Sequence, residues 1–330
     1  MIEKKIAVTM GDPAGIGPEI IVKALTSEAV PDNLGCVVVG NRKVMEKAAE
    51  ACGIQASIRG ISAAEEAVFE KNTINVLDLD NIDMEQFCYG RISAMCGRAA
   101  YEYIEKSIQM ALDREVTAVA TAPINKESLK AGGVNFIGHT EIFGALTKTA
   151  DPLTLFEVDN LRVFFLSRHL SLRAACDMVK KDRIIDYVKR CLKVLNQLGI
   201  TQGTMAIAGL NPHCGEHGLF GWEEVEEIIP AVEELKKQGY PVEGPIGADS
   251  VFHLAKKGRF NSVLSLYHDQ GHIATKTLDF DRTISITGGM PILRTSVDHG
   301  TAFDIAGTGK ADAVSMIEAI RLAGKYMDHF

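Results

Sequence analysis

The sequence predicts an α/β protein with a mostly parallel sheet and helices on both of its faces. Apolar, strand-like runs alternate with helical periodicity from one end of the chain to the other, which is typical of repeated strand–helix units. The composition, 46% hydrophobic and 24% charged, is that of an ordinary folded protein. With 330 residues the chain is long enough for two domains or one large α/β unit.

The first part of the chain contains the pattern in its clearest form. Short apolar runs predict strands, and longer stretches with a period of 3.6 residues predict helices. The strands are expected at 6–10, 36–39, 74–77 and 116–121. The helices are expected at 18–28, from Arg42 onward, and at 93–113.

The second part repeats the alternation with β-branched and apolar runs. Strands are expected at 161–166, 205–210 and 262–266, and helices near 181–198, 222–237 and 248–257. No Pro- or Gly-rich linker marks a domain boundary in the sequence.

Charge and cysteine usage exclude several classes of function. The net charge of -8 disfavours a nucleic-acid or anionic-membrane surface. No apolar run approaches the roughly 18 residues of a membrane span, and the N-terminus lacks a signal-peptide pattern. The seven cysteines are scattered and form no C-x-x-C pair. We therefore expect a cytoplasmic protein with reduced thiols and no cysteine-based zinc site.

Three of the predicted strands are followed within three residues by a histidine, namely His169, His213 and His268. Ligands of open parallel sheets bind beyond the carboxyl ends of the strands. Imidazole is a common ligand of zinc and similar ions, and three protein ligands with one open position are typical of a catalytic metal site. The alternative is that each is a loop histidine bonded to the backbone, and no H-x-x-x-H spacing decides between the two.

The turn at 11–19 contains three glycines and has Pro18 at the start of the following helix. It is neither G-x-G-x-x-G nor a P-loop. Two interpretations stay open: an anion site at a helix N-terminus, or a tight turn that needs positive φ.

Other polar residues are candidates for binding a charged substrate. The segment 138–141 lies at a predicted helix start, where Thr140 could cap and the amides could hold a phosphate. Lys276, Arg282 and Arg294 could clamp a carboxylate or phosphate, although each could also be a surface charge. Arg294 is the strongest of the three because apolar and β-branched residues flank it.

Two carboxylates and one long loop complete the candidates. Asp249 and Asp269 could transfer protons or orient a ligand, although Asp249 could simply cap a helix. The Gly-punctuated loop at 299–312 could wrap an adenosine, with its carboxylate accepting from ribose hydroxyls.

Taken together, these stretches resemble one family over nearly the whole chain, the 4-hydroxythreonine-4-phosphate dehydrogenases, and most closely its 4-phospho-D-threonate branch. The matching segments are TMGDPAGIGPEI (9–20), TAPINKE (121–127), GHTE (138–141), NPHCGE (211–216), YHDQGH (267–272) and RTSVDHGTAFDIAGTGKAD (294–312). The last segment is also similar to the H-G-S-A-P-D-I-A-G loop of isopropylmalate dehydrogenases, whose G-I-G-P-E resembles residues 15–19.

The resemblance implies the isocitrate/isopropylmalate dehydrogenase-like fold, with two α/β/α subdomains and a cleft between them. The implied cofactor-side subdomain is 1–125 plus 300–330, and the implied substrate, metal and dimerisation subdomain is 126–299. The implied assembly is a homodimer in which two subunits share each active site.

The resemblance also implies a role for individual residues. The implied ligands of one divalent ion (zinc, magnesium, manganese or cobalt) are His169, His213 and His268. The implied substrate contacts are His139, Thr140, Lys276 and Arg294, with Ser285 standing where the family has asparagine. NAD is the implied cofactor, held by Asp304 with Gly300 and Gly307, and Lys276 or Asp249 is the expected proton-transfer residue.

The reaction implied is NAD-dependent, metal-dependent oxidation and decarboxylation of a 4-phosphorylated 3-hydroxy acid. The segments 167–173, 272–273 and 300–311 favour 4-phospho-D-threonate or 4-phospho-D-erythronate, which would give dihydroxyacetone phosphate and carbon dioxide. One alternative is the 4-phosphohydroxy-L-threonine dehydrogenase of pyridoxal phosphate biosynthesis. Alternatives of another class are a non-redox transferase acting on a phosphorylated acid, and a catalytically silent binding protein.

Overall fold

The computed structural model describes residues 4–31 and 33–330, and the chain divides into two compact units. The first comprises the chain up to Pro152 together with Met290–Phe330, and the second is Leu153–Gly289. Each unit contains a sheet of strands joined by helices, so the predicted α/β class is confirmed. The functional roles assigned to subdomains 1–125 plus 300–330 and 126–299 stay predictions.

Strands and helices alternate through most of the chain. The strands are β1 (Lys5–Thr9), β2 (Gly35–Gly40), β3 (Ser57–Ile61), β4 (Thr73–Asp78), β5 (Ala118–Thr121), β6 (Leu153–Val158), β7 (Leu161–Phe165), β8 (Met205–Ala208), β9 (Val242–Ile246), β10 (Ser262–Ser265), β11 (Ile284–Gly288) and β12 (Leu293–Ser296). The helices are α1 (Gly17–Leu25), α2 (Arg42–Ala51), α3 (Ala94–Leu112), α4 (Lys126–Ala131), α5 (His139–Leu146), α6 (Leu172–Asp177), α7 (Lys181–Gln197), α8 (Ile229–Lys237), α9 (Ala248–Lys256), α10 (His268–Leu278) and α11 (Val314–Tyr326). In the described chain, no α-helix separates β3 from β4, β6 from β7 or β11 from β12, and no strand separates α4 from α5 or α6 from α7. No helix among the described residues is both long and apolar enough to cross a membrane.

In the first unit the strands run parallel in the order β3-β4-β2-β1-β5-β12. Every residue of β2 is buried, as expected for a strand covered on both faces. The carboxyl ends of β1, β5 and β12 are neighbours in this order, so the turns that follow them lie at one edge of the sheet.

In the second unit the order is β11-β6-β7-β10-β8-β9. The strands β7, β10, β8 and β9 are parallel, whereas β6 is antiparallel to both β11 and β7. The hairpin between β6 and β7 turns at Asp159 and Asn160, with Asp159 at φ 53. The apolar runs of the sequence do not predict β6, which together with β11 supplies the antiparallel part of the sheet.

The predicted helix at 222–237 has an irregular beginning. Glu224–Ile228 form a π-helical turn, and α8 follows directly from it. Such turns widen the helix by one residue and are frequent near functional sites. Here the π turn contains Glu224, a completely buried carboxylate.

Candidate functional site

The second unit contains all three predicted metal ligands at the carboxyl ends of neighbouring strands. His169 follows β7, His213 follows β8, and His268 is the first residue of α10 after β10. The ring centroids of His169 and His268 are 6.2 Å apart. Within one chain, however, the described residues contain no group of three or more His, Cys, Asp or Glu side chains that could hold a metal ion.

The ring of His268 is oriented by two neighbours. Its Nδ1 is 2.6 Å from the Oδ1 of Asp269, and its ring centroid is 4.1 Å from that of His272. Burial, and secondly the charge of His268, lower the pKa of His272 to about 4. The bond to Asp269 engages Nδ1 and leaves Nε2 as the ring nitrogen available to a ligand.

His213 lies in a left-handed turn. Residues 213–217 all have positive φ, and Gly215 is the only glycine among these five. For each of the four non-glycine residues, the left-handed conformation costs about 1–2 kcal/mol relative to a right-handed one. A conformation this costly persists only where its surroundings hold it.

The buried carboxylate of Glu224 holds the beginning of this turn. Its Oε1 accepts from the amides of Leu210 and Asn211, both at 2.7 Å, and its Oε2 accepts from Asn211 Nδ2 at 2.8 Å. A Cβ on Gly215 would lie 2.8 Å from Oε2, so the turn packs closely against this carboxylate. Sequence reasoning missed Glu224, because it stands in an acidic run that is typical of an exposed helix face.

A second buried side chain connects the ends of β8 and β10. Gln270 accepts from the amide of Leu266 at 2.7 Å and donates to the carbonyl of Gly209 at 2.8 Å. These two strands lead to His213 and His268 respectively. Gln270 therefore fixes the spacing between the segments in which two of the predicted ligands lie.

The other candidates of the second unit lie at helix and strand positions with different exposure. Lys276 of α10 is partly buried, with its Nζ 4.8 Å from the ring centroid of Phe280. Ser285 of β11 is partly exposed. Asp249 is exposed in the first turn of α9, where Gly247 and not Asp249 is the N-cap residue. The pKa of Cys214 is raised by burial and by the charges of Glu224 and Asp249.

The first unit contains Arg294, His139 and Thr140. Arg294 on β12 is buried, donates from Nη2 to the Thr121 hydroxyl at 3.0 Å, and stacks 5.0 Å from the centroid of Phe143. Burial lowers the pKa of Arg294 to about 9. Burial, and secondly the charge of Arg294, hold the pKa of His139 well below its usual value. The Nε2 atom of His139 is buried and has no hydrogen-bond partner in the described part of the chain.

The start of α5 differs from the expectation for Thr140. The helix begins at His139 with Gly138 as its N-cap, so Thr140 lies inside the first turn and does not cap. Glu141 reaches back instead and accepts from the amide of Ile137 at 2.8 Å. The hydroxyl of Thr140 is consequently not used as a cap and can face a ligand.

The glycines of the 11–19 turn are explained by close backbone approach. A Cβ on Gly11, at φ 72, would lie 2.3 Å from the Pro123 carbonyl oxygen, and one on Gly17 would lie 2.2 Å from that of Met10. Glu19 places an acidic group in the first turn of α1. The tight-turn interpretation is therefore favoured over an anion site.

The loop at 299–312 joins β12 to α11. Gly300 and Asp304 are exposed, and no atom lies within 4 Å of a Cβ built on Gly300. Gly307 is different, because a Cβ there would lie 2.5 Å from the ring of Tyr89. The loop thus presents the exposed carboxylate of Asp304 and, at Gly300, backbone with no side chain around it.

This combination defines a class of protein: an α/β enzyme with polar residues gathered at the carboxyl ends of its strands. Comparison with known proteins identifies the family. The chain belongs to the family described as pyridoxal phosphate biosynthetic protein PdxA, which matches residues 32–323. As its relatives are dehydrogenases, the chain is an oxidoreductase acting on a CH–OH group.

Two relatives and one solved structure illustrate the similarity. A Fusobacterium nucleatum protein named "Putative D-threonate 4-phosphate dehydrogenase" is 61% identical over 326 residues, which are 99% of this chain and 98% of that protein. A Clostridium botulinum protein of the same name is 60% identical over 332 residues, 100% of this chain and 99% of the other. The crystal structure of 4-hydroxythreonine-4-phosphate dehydrogenase from Klebsiella pneumoniae has a TM-score of 0.91 at 41% identity and covers 98% of this chain and 99% of its own.

Proposed function

We propose that the chain catalyses the NAD-dependent, metal-dependent oxidation and decarboxylation of a 4-phosphorylated 3-hydroxy acid, with 4-phospho-D-threonate or its erythronate isomer as substrate. The observation that carries the substrate choice is the identity of 60–61% to proteins named for D-threonate 4-phosphate. The second candidate is 4-phosphohydroxy-L-threonine, favoured by the similarity to the Klebsiella pneumoniae enzyme.

An anionic part of the substrate would bind at Arg294 and His139. The buried guanidinium supplies a cation, and its neighbours are the Thr121 hydroxyl and the buried Nε2 of His139. A buried cation with adjacent hydrogen-bonding groups suits a phosphate or carboxylate. The further proposed substrate contacts are the Thr140 hydroxyl, Lys276 and Ser285.

A divalent ion would be held by His169, His213 and His268. The donor set fits: His268 already has a carboxylate on Nδ1, and His169 lies beside it. When bound, the ion would polarise substrate oxygens as a Lewis acid. Because the described residues of one chain do not assemble three donors, we propose that a second subunit completes each site.

Exposed apolar side chains beside these histidines support such a homodimer. Leu170 and Leu172 follow His169, and Leu172 is 62% exposed. Leu219, Phe220 and Trp222 follow His213, and Leu219 is 71% exposed. Large exposed apolar residues in the segments after His169 and His213 favour a surface that is covered by another subunit over one that faces water.

NAD would bind along the loop at 299–312 and serve as the hydride acceptor. The exposed carboxylate of Asp304 would accept from the ribose hydroxyls and disfavour a 2′-phosphate at that position. Gly300 would let the backbone approach the cofactor closely. Either Lys276 or Asp249 would take the proton of the oxidised hydroxyl.

The test is NAD reduction measured side by side with 4-phospho-D-threonate, 4-phospho-D-erythronate and 4-phosphohydroxy-L-threonine, with and without chelator. We expect the highest kcat/KM with one of the two D-acids, loss of turnover on chelation, and stoichiometric carbon dioxide. A preference for the L-threonine derivative would support the second candidate. Absence of NAD reduction with all three, despite bound metal, would contradict the proposal and favour the non-redox transferase class.

The assembly has its own test. Sedimentation should give a dimer at assay concentration, and mixing His213→Ala with His169→Ala subunits should restore part of the activity, provided the two ligands of one site come from different chains. An active monomer would contradict the shared site.

A further inference from the structure

The loop at 299–312 is fastened to one helix, α1, at several points along its length. The amide of Ile16 donates to the carbonyl of Thr301 at 3.0 Å. The amide of Gly307 donates to Oε1 of Glu19. The ammonium of Lys23 donates to the carbonyls of Gly309 and Ala311, at 2.7 and 2.6 Å.

The three residues of α1 that make these bonds lie on a single side of the helix. Ile16 is the N-cap, Glu19 lies in the first turn, and Lys23 lies in the last. Spacings of three and four residues place side chains one above another on a helix surface. Positions 16, 19 and 23 therefore contact positions 301, 307 and 309–311 of the loop in the same order along both segments.

Steric contacts reinforce this arrangement. A Cβ on Gly15, just before α1, would lie 2.8 Å from Cβ of Thr301, and one on Gly309 would lie 2.3 Å from the carbonyl oxygen of Ala51, the last residue of α2. Glu19 is fully buried, and its Oε2 has no hydrogen-bond partner among the described residues. A buried carboxylate is costly unless its bonds are made, so the one it makes to Gly307 matters to the loop.

We infer that Glu19 and Lys23 are positioning residues for the cofactor: they set the conformation of the 299–312 loop and thereby the affinity for NAD. The inference rests on the proposed function, in which this loop binds NAD. It assigns Gly307 a role in holding the loop, since its amide is engaged by Glu19 and its α-carbon faces Tyr89. It leaves Gly300 and Asp304, on the exposed part, as the direct contacts.

The decisive variant is Lys23→Met, which keeps the length of the side chain and removes all donors to Gly309 and Ala311. We expect the Kd for NAD, measured by equilibrium titration without substrate, to rise roughly 10-fold. Amide hydrogen exchange in residues 300–311 should accelerate, and kcat at saturating NAD should stay within about twofold. Lys23→Arg retains the donors and should restore most of the NAD affinity.

The matched control is Lys43→Met, which removes the same charge from α2, where Lys43 pairs with Asp80 on the exposed surface. It should leave the Kd for NAD and the exchange of the loop unchanged. Glu19→Gln is a second variant, because the amide keeps one acceptor for Gly307 and should weaken NAD binding less than Glu19→Ala.

Two results would overturn the inference. If Lys23→Met exchanges faster in the loop but binds NAD like the wild type, the contact is structural and has no role in cofactor binding. If loop exchange and NAD affinity are both unchanged, the fastening itself is unimportant. Failure of the wild-type protein to bind NAD is distinguishable from both, since it would remove the proposed cofactor and the inference with it.

Discussion

The loops at 209–217 and 299–312 are held in different ways. In the second unit Glu224, a carboxylate seven residues beyond the loop, accepts three hydrogen bonds with both of its oxygens. In the first unit the fastening residues, Glu19 and Lys23, lie 286–288 residues away in sequence. Of the Glu19 oxygens, Oε2 has no hydrogen-bond partner among the described residues.

The difference shows how each loop relates to the rest of its unit. The His213 loop and its support form a local structure, so its strained turn can persist whenever that short segment is folded. The 299–312 loop can adopt its conformation only after it has packed against α1. These two segments are distant in sequence, because α1 comes near the beginning of the chain and the loop near the end. Changes in the first loop should therefore affect mainly metal binding, and changes in the second should affect mainly the cofactor.

The largest effect should come from removing one of the three proposed metal ligands. In His268→Ala, metal content should fall and kcat should drop roughly 10³-fold, since Lewis-acid stabilisation of several kcal/mol is lost. NAD affinity should change little, because none of the residues proposed to bind NAD is a proposed metal ligand. The measurements are metal analysis, steady-state kinetics and NAD titration. His253→Ala, at an exposed histidine of α9, is the control; equal losses in both variants would contradict the metal assignment.

The stability of the first unit should depend on pH through the buried carboxyl group of Asp12. Burial raises the pKa of Asp12 from 3.8 to about 6, against the lowering effect of the Ala14 amide and the Ser128 hydroxyl. Because the folded pKa exceeds the unfolded value, this residue's stabilisation is complete below pH 3.8 and is lost as the pH rises through 6. Asp12→Asn should therefore gain about 2 kcal/mol over the wild type between pH 4 and pH 7. Urea unfolding at several pH values measures the free energy of unfolding of both proteins. If the difference between them does not change with pH, the raised pKa of Asp12 is refuted.

An intermediate effect is expected from Glu224→Gln, which tests the local support of His213. The glutamine side chain has an NH2 group in place of one carboxylate oxygen, and this group must face N–H donors that bond to Glu224 in the wild type. The loop should therefore loosen while the fold is kept. Metal affinity should weaken about 10–100-fold, the range found when groups that orient ligands are changed. Glu223→Gln is the matched control, since Glu223 shares the Asn211 amide but is only partly buried. If Glu223→Gln weakens metal affinity equally, the loss comes from the change of net charge and not from the hydrogen bonds of Glu224.

Much of the fold and part of the site follow from sequence. Strand-end histidines could be found because an apolar run and the residue after it are adjacent in the chain. Arg294 could be found because apolar and β-branched residues flank it, and the structure shows it buried. Strand β6 was missed although its turn, Asp159-Asn160, is a recognisable hairpin signal. Glu224 could not be separated from Glu223, Glu226 and Glu227 by any pattern, because only the packed structure decides which of them is buried.

The smallest effect should come from the exposed side of the cofactor loop. Asp304 is exposed, and α1 fastens the loop elsewhere, through Thr301, Gly307, Gly309 and Ala311. Asp304→Asn should therefore leave the loop's hydrogen exchange unchanged and alter only what the side chain offers the ribose. Loss of the charge weakens the bond to the hydroxyls and relieves repulsion of a 2′-phosphate, so the ratio of NADP to NAD affinity should rise about fivefold. Asp312→Asn removes the same charge from the same loop, at a carboxylate that accepts from the Val314 amide at 2.7 Å. If Asp312→Asn shifts the ratio equally, the preference comes from the general charge of the loop, and Asp304 is not the residue that faces the ribose.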